Sequence, residues 1–229
     1  MERIPEPELM DDPAQALAYA ASDFSSSDRA MVGDLLDRAG AELGSEILDL
    51  GCGPGNITFL LAEALAARDP AATVLGVDGA PRMLAIAEER RRIHPCGASI
   101  AFHAELLPCP SLAGRRFSAV VSNSLLHHLH QPHQLWEALR QLGAPGAVVA
   151  VRDLRRPSDA AALEALLERH GAGLDPLVQR DYAHSLRAAF RAGEVRQQLD
   201  QAGLMALEVL EIDDQYLEVR GRLPGRLAP

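Results

Sequence analysis

The stretch Ile47-Leu48-Asp49-Leu50-Gly51-Cys52-Gly53-Pro54-Gly55-Asn56 constrains the fold more than any other part of the chain. A short apolar run ends at an aspartate, and three glycines follow at alternate positions. Ile57, Leu61 and Leu65 then recur at helical spacing. The pattern is a buried strand, a glycine turn and a helix. Such a turn lets backbone amides come close to a ligand at the helix N-terminus. A second strand-like run, Thr73-Val74-Leu75-Gly76-Val77-Asp78, ends in an acid. That acid stands about where a ribose-gripping carboxylate is expected in a nucleotide site.

From residue 46 the chain alternates between the two periodicities. Strands are expected at 46–50, 73–78, 98–103, 117–122 and 146–152, and helices at 56–67, 80–92 and 132–142. Pro81 and Pro132 suit helix first turns. Gly143-Ala144-Pro145-Gly146 breaks the last of these helices. Strands alternating with helices imply a parallel sheet covered on both faces. Upstream, Pro5 and Pro7 make residues 1–12 an extended arm, and Asp11-Asp12-Pro13 is a helix start. Ala14–Ala21 is expected to be helical and carries Tyr19. Ser25-Ser26-Ser27-Asp28 is expected to cap a further helix, whose apolar face is Val32, Leu35, Leu36 and Ala39. Downstream, Leu163, Leu166, Leu167 and His170 share a helical face. Asp181–Leu186 is expected between helical segments, and Val195 and Leu199 mark another helix. Residues 204–210 and 216–220 are read as a closing hairpin, with a loose tail after Gly221.

Composition narrows the partners. A chain of 229 residues with 48% hydrophobic content supports one domain with a sizeable cap. A formal net charge of -10 and a pI near 5.2 argue against holding nucleic acid or an anionic membrane by broad electrostatics. Arg90-Arg91-Arg92 reads as a solvated helix end. Met1–Glu8 has no apolar signal core, and no run reaches membrane-spanning length. Cys52, Cys96 and Cys109 make no CxxC pair, so a reducing cytoplasmic setting is expected.

A dinucleotide fingerprint would place its third glycine one residue later than Gly55. Instead, Asp49-Leu50-Gly51-Cys52-Gly53-Pro54-Gly55 resembles motif I of the class I S-adenosylmethionine (SAM)-dependent methyltransferases. The resemblance extends over residues 46–153. Gly76-Val77-Asp78 followed by Met83–Ala87 is similar to the family's second-strand acid and next helix, and Phe117–Leu129 to its fourth strand and the segment after it. It implies an α/β fold: a Rossmann-like, mostly parallel seven-stranded sheet with helices on both faces, one antiparallel strand at the edge, and a helical cap. The expected organisation is an N-terminal helical cap (1–44), a SAM-binding core (45–156), a helical insertion over the substrate crevice (157–200) and C-terminal strands (201–229). The implied activity is methyl transfer from SAM to a small-molecule acceptor, with S-adenosylhomocysteine as product and no metal. A protein methyltransferase and a non-catalytic binder of SAM or its product are the alternatives, with a nicotinamide-dependent oxidoreductase behind them. The acceptor atom and the oligomeric state are left open.

The resemblance places cofactor contacts at Asp49, Gly51, Cys52, Gly53, Asp78, Gly79, Met83, Ala104, Glu105, Asn123 and Ser124. Asp78 has the two acceptor oxygens a ribose diol needs, and Asp49 can accept from the ammonium. Cys52 has no histidine paired with it locally, which argues against a nucleophile. His103 stands where the family often has an acid, so the Ala104 amide or the Glu105 carboxylate is expected at the adenine. The cluster His127, His128, His130 and His133 matches no zinc spacing and has no acid or cysteine beside it in sequence. His127 and His128 are instead candidate catalytic bases, with His184 a further one. Asn123-Ser124-Leu125-Leu126 lacks the Asn/Asp-Pro-Pro-aromatic motif of enzymes that methylate DNA bases or glutamine amides. Tyr19, Arg152 and Tyr182 are the expected substrate contacts, with an Arg152–Asp153 surface ion pair as the plainer reading of Arg152.

Overall fold

The computed structural model describes residues 1–225. Helices α1 (Pro13–Ala21) and α2 (Ser25–Ala39) precede an alternating run. That run is β1 (Glu46–Leu50), α3 (Asn56–Ala66), β2 (Thr73–Asp78), α4 (Pro81–Ile93), β3 (Ile100–Ala104), β4 (Phe117–Asn123), α5 (His133–Leu142) and β5 (Gly143–Leu154). Three helices follow, α6 (Ala160–His170), α7 (Pro176–Ala188) and α8 (Ala192–Gln201), and then β6 (Glu208–Glu211) and β7 (Tyr216–Arg222). The strands form one seven-stranded sheet in the order β3-β2-β1-β4-β5-β7-β6. The pairs β1–β2, β1–β4, β2–β3 and β4–β5 are parallel. β7 is antiparallel to both of its neighbours. The antiparallel strand is therefore internal, not at the edge as expected, and β6 forms the edge.

Strand periodicity divides the core. Leu48 and Leu50 of β1 face one cluster with Val120, Trp136, Leu139 and Val195, beneath α5 and α8. Ile47 faces the other with Val121, Met31, Leu35, Ile57 and Leu61, beneath α2 and α3. A third cluster joins Leu154 to Leu163, Leu166 and Leu186, seating α6 and α7 past the end of β5. A fourth packs Ala16 of α1 against Met83 of α4 and Ala80 just before it.

Several expected boundaries move for local reasons. The Asp23 carboxylate accepts from the Ser25 amide at 2.9 Å, so Ser25–Ser27 enter the first turn of α2 and do not cap it. Asp181–Leu186 is not a break. The Asp175 side chain accepts from Leu177 N and Pro176 opens α7, which runs through the segment with Val178, Ser185 and Leu186 on its buried side. β6 begins later than expected because Leu207 N turns back to Leu204 O. The tail expected after Gly221 begins later, since β7 continues to Arg222; residues 226–229 lie outside the described residues. Among the described residues no helix is long and apolar enough to cross a membrane.

The sheet order reverses between β1 and β4, and the carboxyl ends of β1, β2, β4 and β5 meet there. In an open parallel sheet that is where a crevice forms.

Candidate functional site

A cavity of about 800 Å³ occupies this crevice, walled by the strand ends, α1, α2, α7 and the N-terminal arm. Its floor is the glycine loop. The amides of Gly51 and Cys52 both donate to Val77 O, at 2.8 and 3.0 Å, which ties the loop to β2. Gly51 has φ +68°, and a Cβ there would lie 2.7 Å from Leu125. Gly53 has φ +53° with open space on its Cβ side. Its amide donates to Asp78 Oδ2 at 2.8 Å, and Ala80 N donates to Oδ1 at 2.7 Å. Two backbone amides thus orient the Asp78 carboxylate, and each oxygen keeps acceptor capacity for a diol.

Asp49 is buried and accepts from Thr58 Oγ1 at 2.6 Å. Burial pushes its carboxyl up to about 7; the Thr58 bond opposes this, and Asp78 and Asp28 add to it. Asp28, which sequence reasoning missed, is also buried on the wall and is raised to about 6 by burial, against the Asn56 amide at 3.0 Å. Asp28, Asp49 and Asp78 form a negative floor suited to a cationic ligand. Met83 and Tyr19 line the same side, with Tyr19 against Phe24 at 4.9 Å between ring centroids. Ser124 is held at φ +56°, a rare conformation for a non-glycine residue, with its amide on Arg152 O at 2.9 Å.

Of the expected cofactor residues, Asp49, Gly51, Cys52, Gly53, Asp78, Gly79, Met83, Glu105, Asn123 and Ser124 reach the cavity; Ala104 does not. It is drawn into the sheet opposite Asp78, and Leu106 and Leu107 take the wall there. The Glu105 carboxylate is occupied by the amide and hydroxyl of Ser111, at 2.9 and 2.6 Å. Burial holds the Cys52 thiol well above its usual value, the opposite of what a nucleophile needs.

At the other end of the cavity, His127 is buried with Nδ1 2.7 Å from Asp153 Oδ1. Asp153 is fixed in turn by the Leu126 amide at 2.6 Å on Oδ2. This replaces the expected Arg152–Asp153 pair. Arg152 Nη2 turns instead to Asp34 and the buried Glu218, at 3.0 and 3.2 Å. His127 Nε2 lies 3.5 Å from Glu6 Oε1, and His128 Nδ1 lies 3.2 Å from the same oxygen. Burial lowers the basicity of His127, but Asp153 and Glu6 outweigh it and the net shift is upward. Burial and the neighbouring His127 push His128 well down.

Glu6 belongs to the arm, which no spacing in the sequence connects to His127. Arg3 places it: the guanidinium donates to His127 O and Leu129 O, at 2.9 and 3.0 Å, and stacks over Phe190 at 4.0 Å. Glu6, His127 and His128 present donor atoms within 4.8 Å of one another, so the acid partner missing from the local sequence is supplied by the fold. His130 binds Glu6 O and Glu8, and so holds the arm. His184 is exposed and does not line the cavity. Tyr19, Arg152 and Tyr182 all line the cavity, with Tyr182 OH donating to Gln215 at 2.8 Å.

A methyltransferase-domain family profile matches residues 48–149. A trans-aconitate 2-methyltransferase of Methylobacterium nodulans is 36% identical over 150 residues, 64% of this chain and 52% of its own. A ubiquinone biosynthesis O-methyltransferase of Chromobacterium violaceum is 28% identical over 157 residues, 67% of this chain and 63% of its own. Over residues 48–149 this chain is similar to the methyltransferase domain of these proteins. It spans about half to two thirds of the length of these curated relatives. The methyltransferase fold recurs in a SAM-dependent methyltransferase of Aquifex aeolicus, with TM-score 0.66, 17% identity and coverage of 93% of this chain and 98% of that one. It also recurs in the plantazolicin methyltransferase BpumL in complex with SAH, with TM-score 0.68, 14% identity and coverage of 93% and 91%. The cavity residues fit SAM: a two-oxygen acceptor for the diol, a carboxylate floor for the ammonium, and a glycine whose missing side chain leaves room.

Proposed function

We propose that this chain is a class I SAM-dependent methyltransferase that transfers the methyl group of SAM to a hydroxyl of a small molecule. The buried His127–Asp153 pair at the cavity wall carries the reading. A base is needed where the acceptor must lose a proton, as a hydroxyl must. Asp153 takes up Nδ1, so Nε2 is the nitrogen left to receive that proton. SAM, when bound, would supply a methyl already activated as a sulfonium, with S-adenosylhomocysteine as the other product. The proton an acceptor hydroxyl must lose would go to Nε2 of His127, where Asp153 and Glu6 would stabilise the imidazolium. Asp78, Asp49 and the Gly53 loop would hold the donor, with the arm and α7 walling the cavity over it. Much of the rate enhancement is orientation within this enclosure. Two curated relatives named for a small carboxylic acid and a quinone precursor support a small-molecule acceptor.

The test is a labelled-methyl assay against cell extract with and without a low-molecular-weight cut-off. Label should appear in the small-molecule fraction. His127→Asn, which keeps a donor toward Asp153, should lower turnover by about 10²–10⁴ while SAH affinity is unchanged. SAH binding with no label transferred would favour a non-catalytic binder, and label in the macromolecular fraction a protein methyltransferase.

A further inference from the structure

The acceptor end of the cavity has its own charge balance. Beyond His127 its wall comes from α7 and from the turn between β6 and β7, with Val178, Asp181, Tyr182, Ile212, Asp213 and Gln215 facing the space. Among the described residues two guanidiniums border the cavity, and each has a carboxylate partner. Arg152 is paired with Asp34 and Glu218, and Arg169 with Asp214. His170 is spent on the same Asp214, at 3.0 Å. Arg3, behind His127, gives its hydrogens to backbone carbonyls.

The carboxylates are differently placed. Asp213 Oδ1 receives the amides of Gln215 and Tyr216, at 2.8 and 2.7 Å, and among the described residues no cation forms a salt bridge with its carboxylate, the nearby Arg155 guanidinium donating to its backbone carbonyl at 2.9 Å. Asp181 accepts from Gln15 Nε2 at 2.9 Å and is ion-paired with the solvent-exposed Arg180 at 2.8 Å, so it is partly compensated and Asp213 is the carboxylate without a salt bridge. An anionic substituent entering here would face the Asp213 carboxylate and find, among the described residues that line the cavity, no guanidinium without a carboxylate partner. The remaining wall is apolar or neutral, with Leu154, Val178 and Ile212 beside the Tyr182 hydroxyl.

Resting on the methyl-transfer reading of this cavity, we propose that the acceptor is a hydroxyl-bearing amphipathic molecule with no carboxylate or phosphate. Its apolar body lies along Leu154, Val178 and Ile212, and a cationic or neutral substituent faces Asp181 and Asp213. The wall discriminates by repulsion: a carboxylate or phosphate is disfavoured beside Asp213, whereas a cationic or neutral group is not.

The test uses the full chain saturated with SAH and a pair of phenols of opposite charge, tyramine and 3-(4-hydroxyphenyl)propionate. They share the ring, the hydroxyl and a two-carbon arm. Calorimetry should find tyramine bound at least about tenfold more tightly. The double variant Asp181→Asn, Asp213→Asn should lose most of that preference while its SAH affinity is unchanged. Equal, absent or reversed discrimination overturns the proposal, as does methyl transfer to a tricarboxylate such as trans-aconitate. The SAH titration that precedes each experiment reports separately on the cofactor reading, which stands if SAH binds and the charge preference fails.

Discussion

His127 joins three parts of the chain at a single ring: Asp153 on one nitrogen, Glu6 near the other, and Arg3 on its backbone carbonyl. Its folded value is raised, so the neutral form a base needs appears only above the ordinary 6.5. Turnover should rise with pH through a value above that point and then level off. Asp153→Asn should move the inflection down and lower turnover by about 10²–10⁴, as a pH–rate profile would show. The same shift has a stability sign. The stabilisation of protonated His127 is complete below the unfolded value and is lost as pH rises through the folded one. Gly51 and Gly53 offer a second contrast. Both need positive φ, but only at Gly51 would a side chain strike Leu125. Gly51→Ala should cost about 1–3 kcal/mol by chemical denaturation, and Gly53→Ala less. The need for glycine was legible in the spacing of the loop. The role of Glu6 was not, because its neighbours lie far along the chain.

At the scale of elements, the arm decides how closed the site is. It has no regular structure of its own, and its place rests on Arg3, on Ile4 N donating to Arg187 O at 3.0 Å, and on His130. A charged group making several hydrogen bonds contributes about 1.5–3 kcal/mol. Arg3→Ala should therefore free residues 1–12, which limited proteolysis would detect as faster cleavage there. SAH should still bind, because the glycine loop does not depend on the arm. Protection equal to the unaltered chain would show that the arm docks by other means. β5 shows how one strand serves two ends: Arg152 points to Glu218 of β7, and Asp153, next in sequence, points to His127. Alternation along a strand makes this division natural. The sequence places both residues at a strand end, but it does not say which partner each would meet.

Across the whole molecule, the net charge of -10 is not spread evenly, since Asp28, Asp49 and Asp78 converge on the cofactor end of one cavity. Asp28 and Asp49 are raised to about 6 and about 7 from an ordinary 3.8. A raised acid favours the folded state in its protonated form. Its contribution is complete below the unfolded value and is lost as pH rises through the folded one. The unliganded protein should thus lose stability from these groups on going from pH 4 toward about pH 7. A ligand carrying an ammonium reverses the balance once the carboxylates are ionised. The rise in Tm on adding saturating SAH should be larger at about pH 8 than at about pH 5.5. An equal rise at both would remove these carboxylates from ligand binding.

The sequence by itself determined the alternating parallel architecture, the glycine turn, the acid after the second strand and hence the cofactor end of the cavity. Each of these depends on residues a few positions apart, where periodicity and backbone sterics act directly. The tertiary structure alone decided the acceptor end. It put Glu6 beside His127, turned Arg152 away to Glu218, ran α7 through Asp181–Leu186 and set β7 inside the sheet with β6 at its edge. Those contacts join segments separated by most of the chain, and they exist only because packing the helices on the sheet closes the intervening loops at once.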